Sequence, residues 1–387
     1  MDASSLIQHK LTISSSGEYR ALLIGQYGSK YYPNKEIQEE SLRELYLLSD
    51  TAGISQMNDL FFHVSTPDSG TFFSKGILEK IQEMIKENNY NILIADVNLK
   101  PAQLKNLEEL LKIRVLGRIE LILDIFAMRA VTHESALQVE LAQLTYILPR
   151  LKGLGGVLSR LGGGIGTRGP GESMLETDRR HINKRIQKIK EELKSVSKHR
   201  DNTRKNRNIM TYALVGYTNA GKTSLLNQLC SSAKKLFAED RLFATLDSFS
   251  RKVYLGEINN KPFYSVITDT VGFIRNLPPS LSAAFQSTLE EISYTDAIIL
   301  VIDASSLRLD EEIEIVHNEL EKLKVNEKQK IIFFNKSDLI FPSLKRKLSK
   351  KYPNAVWGNA LSKDGTKDLR KKLFELTKKS FFLHETR

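Results

Sequence analysis

The sequence predicts an α/β fold in three parts: a small parallel α/β domain at the N-terminus, a long helical hairpin, and a second, larger α/β domain. Three observations support this prediction. Short apolar runs alternate with amphipathic helical stretches to about residue 117, helical periodicity alone continues to about residue 199, and the alternation resumes at Met210. At 387 residues the chain is long enough for about two to three domains, each with its own core.

The first domain is predicted to span residues 1–118. Its repetition of strand, helix and strand is typical of a parallel sheet, because parallel strands need a crossover that a helix usually supplies. The predicted strands are Ala21–Ile24, Leu60–Val64, Asn91–Val97 and Ile113–Leu116. The predicted helices are Lys35–Leu48, Gly76–Glu87 and Pro101–Leu111, the last with proline at the helix start.

The helical hairpin is predicted to span residues 119–200. Apolar residues recur every three or four positions from Leu137 to Leu151, and again within a second helix predicted over residues 174–199. Pro149 predicts a kink or break in the first helix, and the glycines between residues 153 and 171 predict the connecting loop. The polar residues 201–208 predict a linker.

The second α/β domain is predicted to span residues 209–380, with a tail at residues 381–387. Apolar runs again alternate with amphipathic stretches, which predicts strands and helices in turn. The predicted elements are Thr211–Val215, Thr223–Leu229, Phe263–Thr268, Leu281–Ile292, Ala297–Asp303, Glu311–Leu323, Ile331–Phe334 and Lys367–Thr377.

The composition is that of a folded, soluble protein, with 41% hydrophobic and 27% charged residues. No apolar run approaches the ~18 residues of a membrane span, and the first residues lack the basic start and apolar middle of a secretory signal. The single cysteine, Cys230, permits no intramolecular disulfide and is typical of a reducing compartment. We therefore expect a cytoplasmic protein without a membrane span, and a monomer.

Positive charge is concentrated in one segment. The whole chain carries a net charge of +11, and the segment from Lys152 to Arg207 alone holds 15 basic and 6 acidic residues. Such a concentration favours binding of a polyanion such as nucleic acid, because each neutralised phosphate releases counterions. The alternative is a solvated helix face rich in lysine.

Residues 216–223 match the pattern G-x-x-x-x-G-K-[ST] between a predicted strand and a predicted helix. In this context the glycines let backbone amides surround phosphate oxygens, Lys222 reaches the terminal phosphates, and Thr223 holds Mg²⁺. We call residues 216–223 the phosphate loop. The predicted phosphate-binding residues are Gly216, Tyr217, Thr218, Asn219, Ala220, Gly221, Lys222, Thr223 and Ser224.

A second motif, Asp269-Thr270-Val271-Gly272, ends the strand predicted over residues 263–268. A carboxylate at Asp269 can bind Mg²⁺ through water, and the Gly272 amide can meet the γ-phosphate and report its loss. By itself Asp-x-x-Gly is a common turn. Its position one strand after the phosphate loop makes it a strong indication of a nucleotide switch.

A third motif, Asn335-Lys336-Ser337-Asp338, follows a later strand and predicts the base. The Asp338 carboxylate accepts hydrogen bonds from guanine N1 and N2, whereas adenine would leave this acceptor unsatisfied. Asn359, Ala360 and Leu361 form a turn whose backbone amides are expected beside the base. Together the three motifs predict a P-loop GTPase (G) domain that binds GTP and GDP with Mg²⁺.

Weaker signals lie between the first two motifs. Thr245, preceded by Phe243 and Ala244, stands where GTPases keep a threonine that closes on Mg²⁺. The alternative for Thr245 is an ordinary exposed threonine. Cys230 is better interpreted as a small buried apolar residue than as a redox sensor, and the scattered histidines lack metal-ligand spacing.

These motifs resemble the HflX family of GTPases. The phosphate loop and residues 269–275 are similar to that family's phosphate loop and second switch. Similarity extends outside the G domain, to the segments Ile122–Ala127 and Leu137–Leu144 and to Gly163–Glu172 with Asp178-Arg179-Arg180. The resemblance covers about Ser41 to Thr377, and it implies an N-terminal α/β domain, a hairpin and a G domain.

The resemblance also implies a partner and a task. HflX proteins bind the large ribosomal subunit in the GTP state and separate stalled or stressed ribosomes, with the glycine loop reaching toward the peptidyl-transferase region. Many relatives carry a further C-terminal domain, whereas this chain stops at Arg387. The implied ribosome-contacting residues are Ser159-Arg160, Gly163, Gly164, Arg168, Arg179 and Arg180.

Catalysis is expected to rest on Lys222, Thr245, the Gly272 amide and Asn219. Phe273 occupies the position at which Ras-like GTPases orient water with glutamine, so intrinsic hydrolysis is expected to be slow. The family resemblance implies that Asn219 helps to bind K⁺ near the phosphates; the alternative is that Asn219 only caps the loop.

Two other function classes stay open at this point. One is a regulatory GTPase that acts on a protein or membrane complex. The other is an ATP-driven RNA remodeller that uses the N-terminal domain, although no G-x-x-x-x-G-K or G-x-G-x-x-G pattern occurs before residue 150.

Overall fold

The computed structural model describes residues 19–28, 32, 34–158, 170–204, 209–230, 243, 248–275 and 286–385. Contacts divide the chain into two compact units, one with a four-stranded sheet and one with a six-stranded sheet. In the described part of the chain, no helix has the length and apolarity to cross a membrane.

The first sheet is parallel, as predicted, with strand order β2-β1-β3-β4. The inner strands β1 and β3 are buried along nearly their whole length, which explains their continuous apolar runs. The strands are β1 (Arg20–Tyr27), β2 (Gln56–His63), β3 (Ile92–Ala95) and β4 (Arg114–Gly117). The helices between them are α1 (Lys35–Thr51), α2 (Lys75–Asn88) and α3 (Pro101–Leu111).

Strand β2 begins at Gln56, four residues before the predicted start. It lies at an edge of the sheet, where the polar side chains of Asn58 and Asp59 are exposed. The prediction missed these residues because an edge strand needs no apolar pattern at positions that face water.

Three helices follow: α4 (Arg118–Arg129), α5 (His133–Leu158) and α6 (Pro170–Arg204). Of the kink or break predicted at Pro149, the break is wrong, because α5 continues through it to Leu158 and includes Gly153, Gly155 and Gly156. The Arg150 guanidinium, next to the proline, donates to the Tyr146 carbonyl (3.2 Å).

Helix α6 is longer than predicted at both ends. It begins at Pro170 rather than Met174, with proline at a position where the missing N–H costs no helical bond. It ends at Arg204, so the first four residues of the predicted linker are helical. The remaining linker residues 205–208 and loop residues 159–169 lie outside the described residues.

Helices α5 and α6 pair as the predicted hairpin requires. Ile182, Ile186 and Ile189 of α6 are buried. Both nitrogens of the Arg185 fork donate to the Glu140 carboxylate, each at 2.6 Å, and these bonds raise the pKa of Arg185. A bidentate pair of this kind fixes the register of two helices better than apolar contacts alone.

The second sheet has the order β10-β9-β8-β5-β7-β6, and all pairs are parallel except β6 with β7. The strands are β5 (Thr211–Val215), β6 (Phe249–Ile258), β7 (Lys261–Asp269), β8 (Ala297–Asp303), β9 (Gln329–Asn335) and β10 (Val356–Trp357). The helices are α7 (Lys222–Leu229), α8 (Gln286–Ser293), α9 (Leu309–Lys322), α10 (Pro342–Lys351) and α11 (Lys367–Glu385). The carboxyl ends of β5, β7, β8 and β9 therefore meet at one edge.

Sequence periodicity missed β6, β10 and α10. Strand β6 is an edge strand with few buried positions, and α10 buries only Leu348. Elements with so little buried surface carry almost no apolar pattern.

A buried ionic cluster closes the carboxyl end of the first sheet. Arg118 pairs with Glu44 at 2.7 Å and with Asp96 at 3.1 Å, and Gln38 donates to the second oxygen of Asp96 at 2.9 Å. All four residues are buried. Removing the cation would leave the buried Glu44 and Asp96 carboxylates without their shared positive charge.

We therefore expect Arg118→Ala to lower the unfolding free energy of the first sheet by about 3–5 kcal/mol. Amide hydrogen exchange of the β3 residues measures this loss locally. Lys86→Met, at an exposed position on α2, is the control and should leave the exchange unchanged. Equal protection in the Arg118 variant and the wild type would show that the cluster does not stabilise the sheet.

Candidate nucleotide-binding site

The phosphate loop connects β5 to α7 and passes very close to two other strand ends. A Cβ added to Gly216 would lie 2.1 Å from the Val301 carbonyl oxygen, near the carboxyl end of β8. A Cβ added to Gly221 would lie 2.2 Å from Nδ2 of Asn335, and Gly221 has a φ of 88°. Both positions therefore require glycine.

Helix α7 begins at Lys222, immediately after Gly221. Its first backbone N–H groups have no partner within the helix and carry the positive end of the helix dipole, which suits a phosphate. Asn219 lies in the left-handed region, with a φ of 61°, and so contributes to the turn of the loop. Asparagine tolerates this conformation better than most residues.

Lys222 lies inside the loop and is 7% exposed. Its Nζ donates to the carbonyl oxygens of Gly216 (3.1 Å) and Tyr217 (2.8 Å). Burial lowers the pKa of Lys222 to about 8, and the negative charge of Asp269 opposes this shift. Burial thus disfavours the charged form of Lys222, and a bound phosphate would favour it.

Thr223 and Asp269 supply two adjacent oxygen ligands. The Thr223 hydroxyl donates to Oδ2 of Asp269 at 2.6 Å, and Asp269 is completely buried at the end of β7. A hydroxyl and a carboxylate side by side suit Mg²⁺, which prefers oxygen and usually takes few protein ligands besides phosphate and water. When bound, Mg²⁺ neutralises charge on the β- and γ-phosphates. No cluster of three or more His, Cys, Asp or Glu side chains suited to a metal occurs among the described residues.

The predicted switch residues Gly272 and Phe273 lie against the phosphate loop. A Cβ on Gly272 would be 2.8 Å from Cα of Thr218 and 2.9 Å from Nζ of Lys222. Phe273 is 6% exposed and packs in the apolar core on one face of the sheet. Its side chain is therefore committed to packing and cannot orient a water molecule.

Asn335 connects the phosphate end of the site to the base end. Its Nδ2 donates to the Ala220 carbonyl, and its Oδ1 accepts from the Ala360 amide, each at 2.8 Å. Asn335 is 2% exposed, so both ends of its amide are used in the fold. The sequence predicted that Asn335 belongs to the base motif; the structure shows that it joins the two loops.

The other base-motif residues line the same edge of the sheet. The Lys336 ammonium pairs with Asp303 at 2.7 Å, and Asp338 is exposed. In the neighbouring turn, the Leu361 amide donates to Oδ1 of Asn359 at 2.8 Å, which holds the turn in shape. Asp338 is thus left available for a base.

Other predicted residues lie elsewhere in the chain or outside the described residues. Ala244 and Thr245 lie outside the described residues, whereas Phe243 is buried with a φ of 55°. Ser159-Arg160, Gly163, Gly164 and Arg168 also lie outside them. Arg179 and Arg180 lie on α6 in the unit with the four-stranded sheet.

Sequence reasoning missed two contacts of the site. The Tyr217 hydroxyl accepts from the backbone amide of Arg275, 58 positions away, and Asp303 pairs with Lys336. No local pattern in the sequence indicated the Tyr217–Arg275 contact. The signal for the Asp303–Lys336 pair was an acidic residue at the carboxyl end of a buried strand.

A phosphate loop between a parallel strand and a helix, with a buried carboxylate beside its threonine and a guanine-type motif on a further strand, defines a P-loop GTPase. The comparisons with known proteins agree with this class. The family described as "50S ribosome-binding GTPase" matches residues 211–336. The families described as "GTP-binding GTPase N-terminal" and "GTP-binding GTPase Middle Region" match residues 39–127 and 129–207.

Similar curated proteins identify the family within this class of GTPases. The chain is 47% identical to GTPase HflX of Caldanaerobacter subterraneus over 78% of this chain and 70% of the relative. It is 39% identical to GTPase HflX of Escherichia coli over 89% of this chain and 80% of that protein. The solved structure described as "SsGBP and GDP complex" is 28% identical, covers 94% of this chain and 99% of its own, and has a TM-score of 0.52. The chain belongs to the HflX family of GTPases.

We expect GTP binding to take up a proton above about pH 8. Burial lowers the pKa of Lys222, and bound phosphate favours its charged form, so binding returns the pKa toward or above its ordinary value. Below about pH 7 Lys222 is already charged and uptake is near zero; at pH 9 it approaches about one proton, and affinity is about tenfold lower. Calorimetry in buffers of different ionisation enthalpy measures the uptake, and zero uptake at pH 9 contradicts this account.

Base choice is predicted to depend on Asp338. Asp338→Asn should weaken GTP binding and favour xanthosine triphosphate, because the xanthine edge presents an acceptor where guanine presents a donor. Competition between the two nucleotides measures the preference. Asp364→Asn, at another exposed carboxylate of the same unit, is the matched control and should keep the wild-type preference. A variant at Asp338 that still prefers GTP by the wild-type margin would refute the assignment.

Proposed function

We propose that this GTPase acts on the ribosome. In its GTP-bound state it binds the large ribosomal subunit and separates stalled or stressed ribosomes into subunits, and hydrolysis then releases it. The observation that carries the proposal is the match of residues 211–336 to a family described as 50S ribosome-binding GTPase, within a chain whose relatives are HflX proteins along most of its length.

The charge of helix α6 supports this proposal. One face of the helix is buried through Ile182, Ile186 and Ile189, while the side chains of Lys184 and Lys190 are exposed. The surrounding segment from residue 152 to 207 carries 15 basic and 6 acidic residues. A helix that packs on one side and is basic on the other is suited to the phosphates of ribosomal RNA.

The site also suggests why a partner is needed for fast hydrolysis. Phe273 is buried in the core, so the second switch offers no glutamine to orient the attacking water. A ribosome that orders the switch segments would supply this positioning. Asn219, whose left-handed backbone places it at the turn of the phosphate loop, is proposed to help bind K⁺ through oxygen ligands near the phosphates.

The proposal is tested by GTP turnover with and without purified large subunits, in K⁺ and in Na⁺. We expect well over twofold stimulation by the subunit, because ordering of a switch lowers the barrier by several kcal/mol. Sedimentation with a GTP analogue should show association that GDP does not support. Stimulation below about twofold together with no association in either nucleotide state would instead favour a regulatory GTPase with a protein or membrane partner.

Charge-reversal variants locate the surface within the same experiment. Arg179→Glu with Arg180→Glu should weaken subunit binding and flatten its salt dependence, since fewer phosphates are neutralised. Lys80→Glu with Lys86→Glu, at exposed positions on α2, changes the net charge equally and is the control. Equal weakening in both pairs would mean that net charge, rather than α6, determines binding.

A further inference from the structure

The phosphate loop and residues 269–275, here called the second switch segment, are joined by two backbone hydrogen bonds. The Phe273 amide donates to the Gly216 carbonyl at 3.1 Å, and the Thr218 amide donates to the Phe273 carbonyl at 2.8 Å. Tyr217 and Phe273 consequently pair in the manner of parallel strand residues. The switch segment is thus attached directly to the loop that holds phosphate.

A side chain of the phosphate loop adds a third attachment. The Tyr217 hydroxyl accepts from the Arg275 backbone amide at 3.0 Å and from Nε of Arg275 at 3.2 Å. Tyr217 is 7% exposed and Arg275 is 9% exposed, so water competes poorly for these bonds. Nη1 of Arg275 also lies 4.0 Å from the Glu311 carboxylate on α9.

These attachments hold the switch segment where a γ-phosphate has to enter. A single methyl group on Gly272 would already lie within 3 Å of Thr218 and of the Lys222 ammonium. In P-loop GTPases the γ-phosphate lies beside this lysine and is met by the switch glycine, so the two must separate to admit it. GDP, which has no γ-phosphate, does not require this separation.

We propose that Tyr217 is a positioning residue of the GTPase cycle: by holding Arg275 through its hydroxyl, it stabilises the switch segment against the phosphate loop and so favours GDP over GTP. The residue acts through Arg275 and not through contact with the reacting atoms. This role belongs to the G domain itself, and it is independent of which partner stimulates hydrolysis.

The chemistry of the pair explains why the hydroxyl matters rather than the ring. A phenol oxygen that accepts both a backbone N–H and a charged guanidinium N–H fixes the direction of the chain at residue 275 as well as its distance. Phenylalanine would keep the packing of the ring and remove the hydroxyl that accepts both bonds.

The test compares the dissociation constants of GDP and a non-hydrolysable GTP analogue in wild-type protein and variants. Tyr217→Phe should raise the affinity for the analogue relative to GDP by about fivefold, the effect expected for loss of hydrogen bonding that opposes one state. Arg275→Gln should shift the same ratio in the same direction. Because Tyr217→Phe already removes the acceptor of both Arg275 donors, the double variant should shift the ratio no further than Tyr217→Phe alone.

Two controls separate positioning from simple loss of stability. Tyr212→Phe removes another buried hydroxyl of the same unit, one that bonds Thr377 at 2.8 Å, and should leave the ratio unchanged. Glu311→Gln removes the negative charge that lies 4.0 Å from Nη1 of Arg275 and, because the Tyr217 hydroxyl is kept, should shift the ratio less than Tyr217→Phe. An unchanged ratio in Tyr217→Phe, or effects of Tyr217→Phe and Arg275→Gln that add fully, would overturn the proposal.

Discussion

The close approach of the phosphate loop to the ends of β8 and β9 is the constraint on which the rest of the site depends. Gly216 passes the Val301 carbonyl and Gly221 passes the Asn335 amide, both at distances that leave no room for a Cβ. Because the loop packs closely against the sheet, Lys222 is buried within the loop. Helix α7 begins at Lys222, at the position expected for the phosphates. The chemistry of the loop follows from this packing.

The side chain of Asn335 links the phosphate loop to the turn beside the base. It bonds Ala220 on the phosphate side and Ala360 on the base side, so one side chain joins the two ends of the nucleotide site. The second switch segment is attached differently, through backbone bonds to the loop and the Tyr217–Arg275 contact. Within this segment Phe273 also packs in the apolar core, so the segment is held by apolar packing as well as by polar bonds.

The two units carry different polar side chains at the carboxyl edges of their sheets. The six-stranded unit brings nucleotide-binding side chains to one sheet edge, whereas the four-stranded unit closes the same edge of its own sheet with the buried cluster around Arg118. Helix α6 in turn carries exposed basic side chains that a G domain does not need for nucleotide binding.

The sequence by itself determined the α/β class, the parallel inner strands and the three nucleotide motifs, because each depends on residues close together in the chain. Continuous apolar runs report strands buried on both faces, and the phosphate loop needs only local glycines, a lysine and a threonine. The family resemblance rested on contiguous segments for the same reason. The fold class is confirmed by the two sheets, and the family is confirmed by the HflX relatives.

Only the tertiary structure decided the features that depend on contacts between distant residues. The edge strands β6 and β10 are paired by neighbours rather than marked by pattern, and Pro149 stays helical in the packed hairpin where local propensity predicts a break. The structural use of Asn335 and the Tyr217–Arg275 contact join residues 115 and 58 positions apart. Such contacts are selected by packing and burial, which local periodicity does not encode.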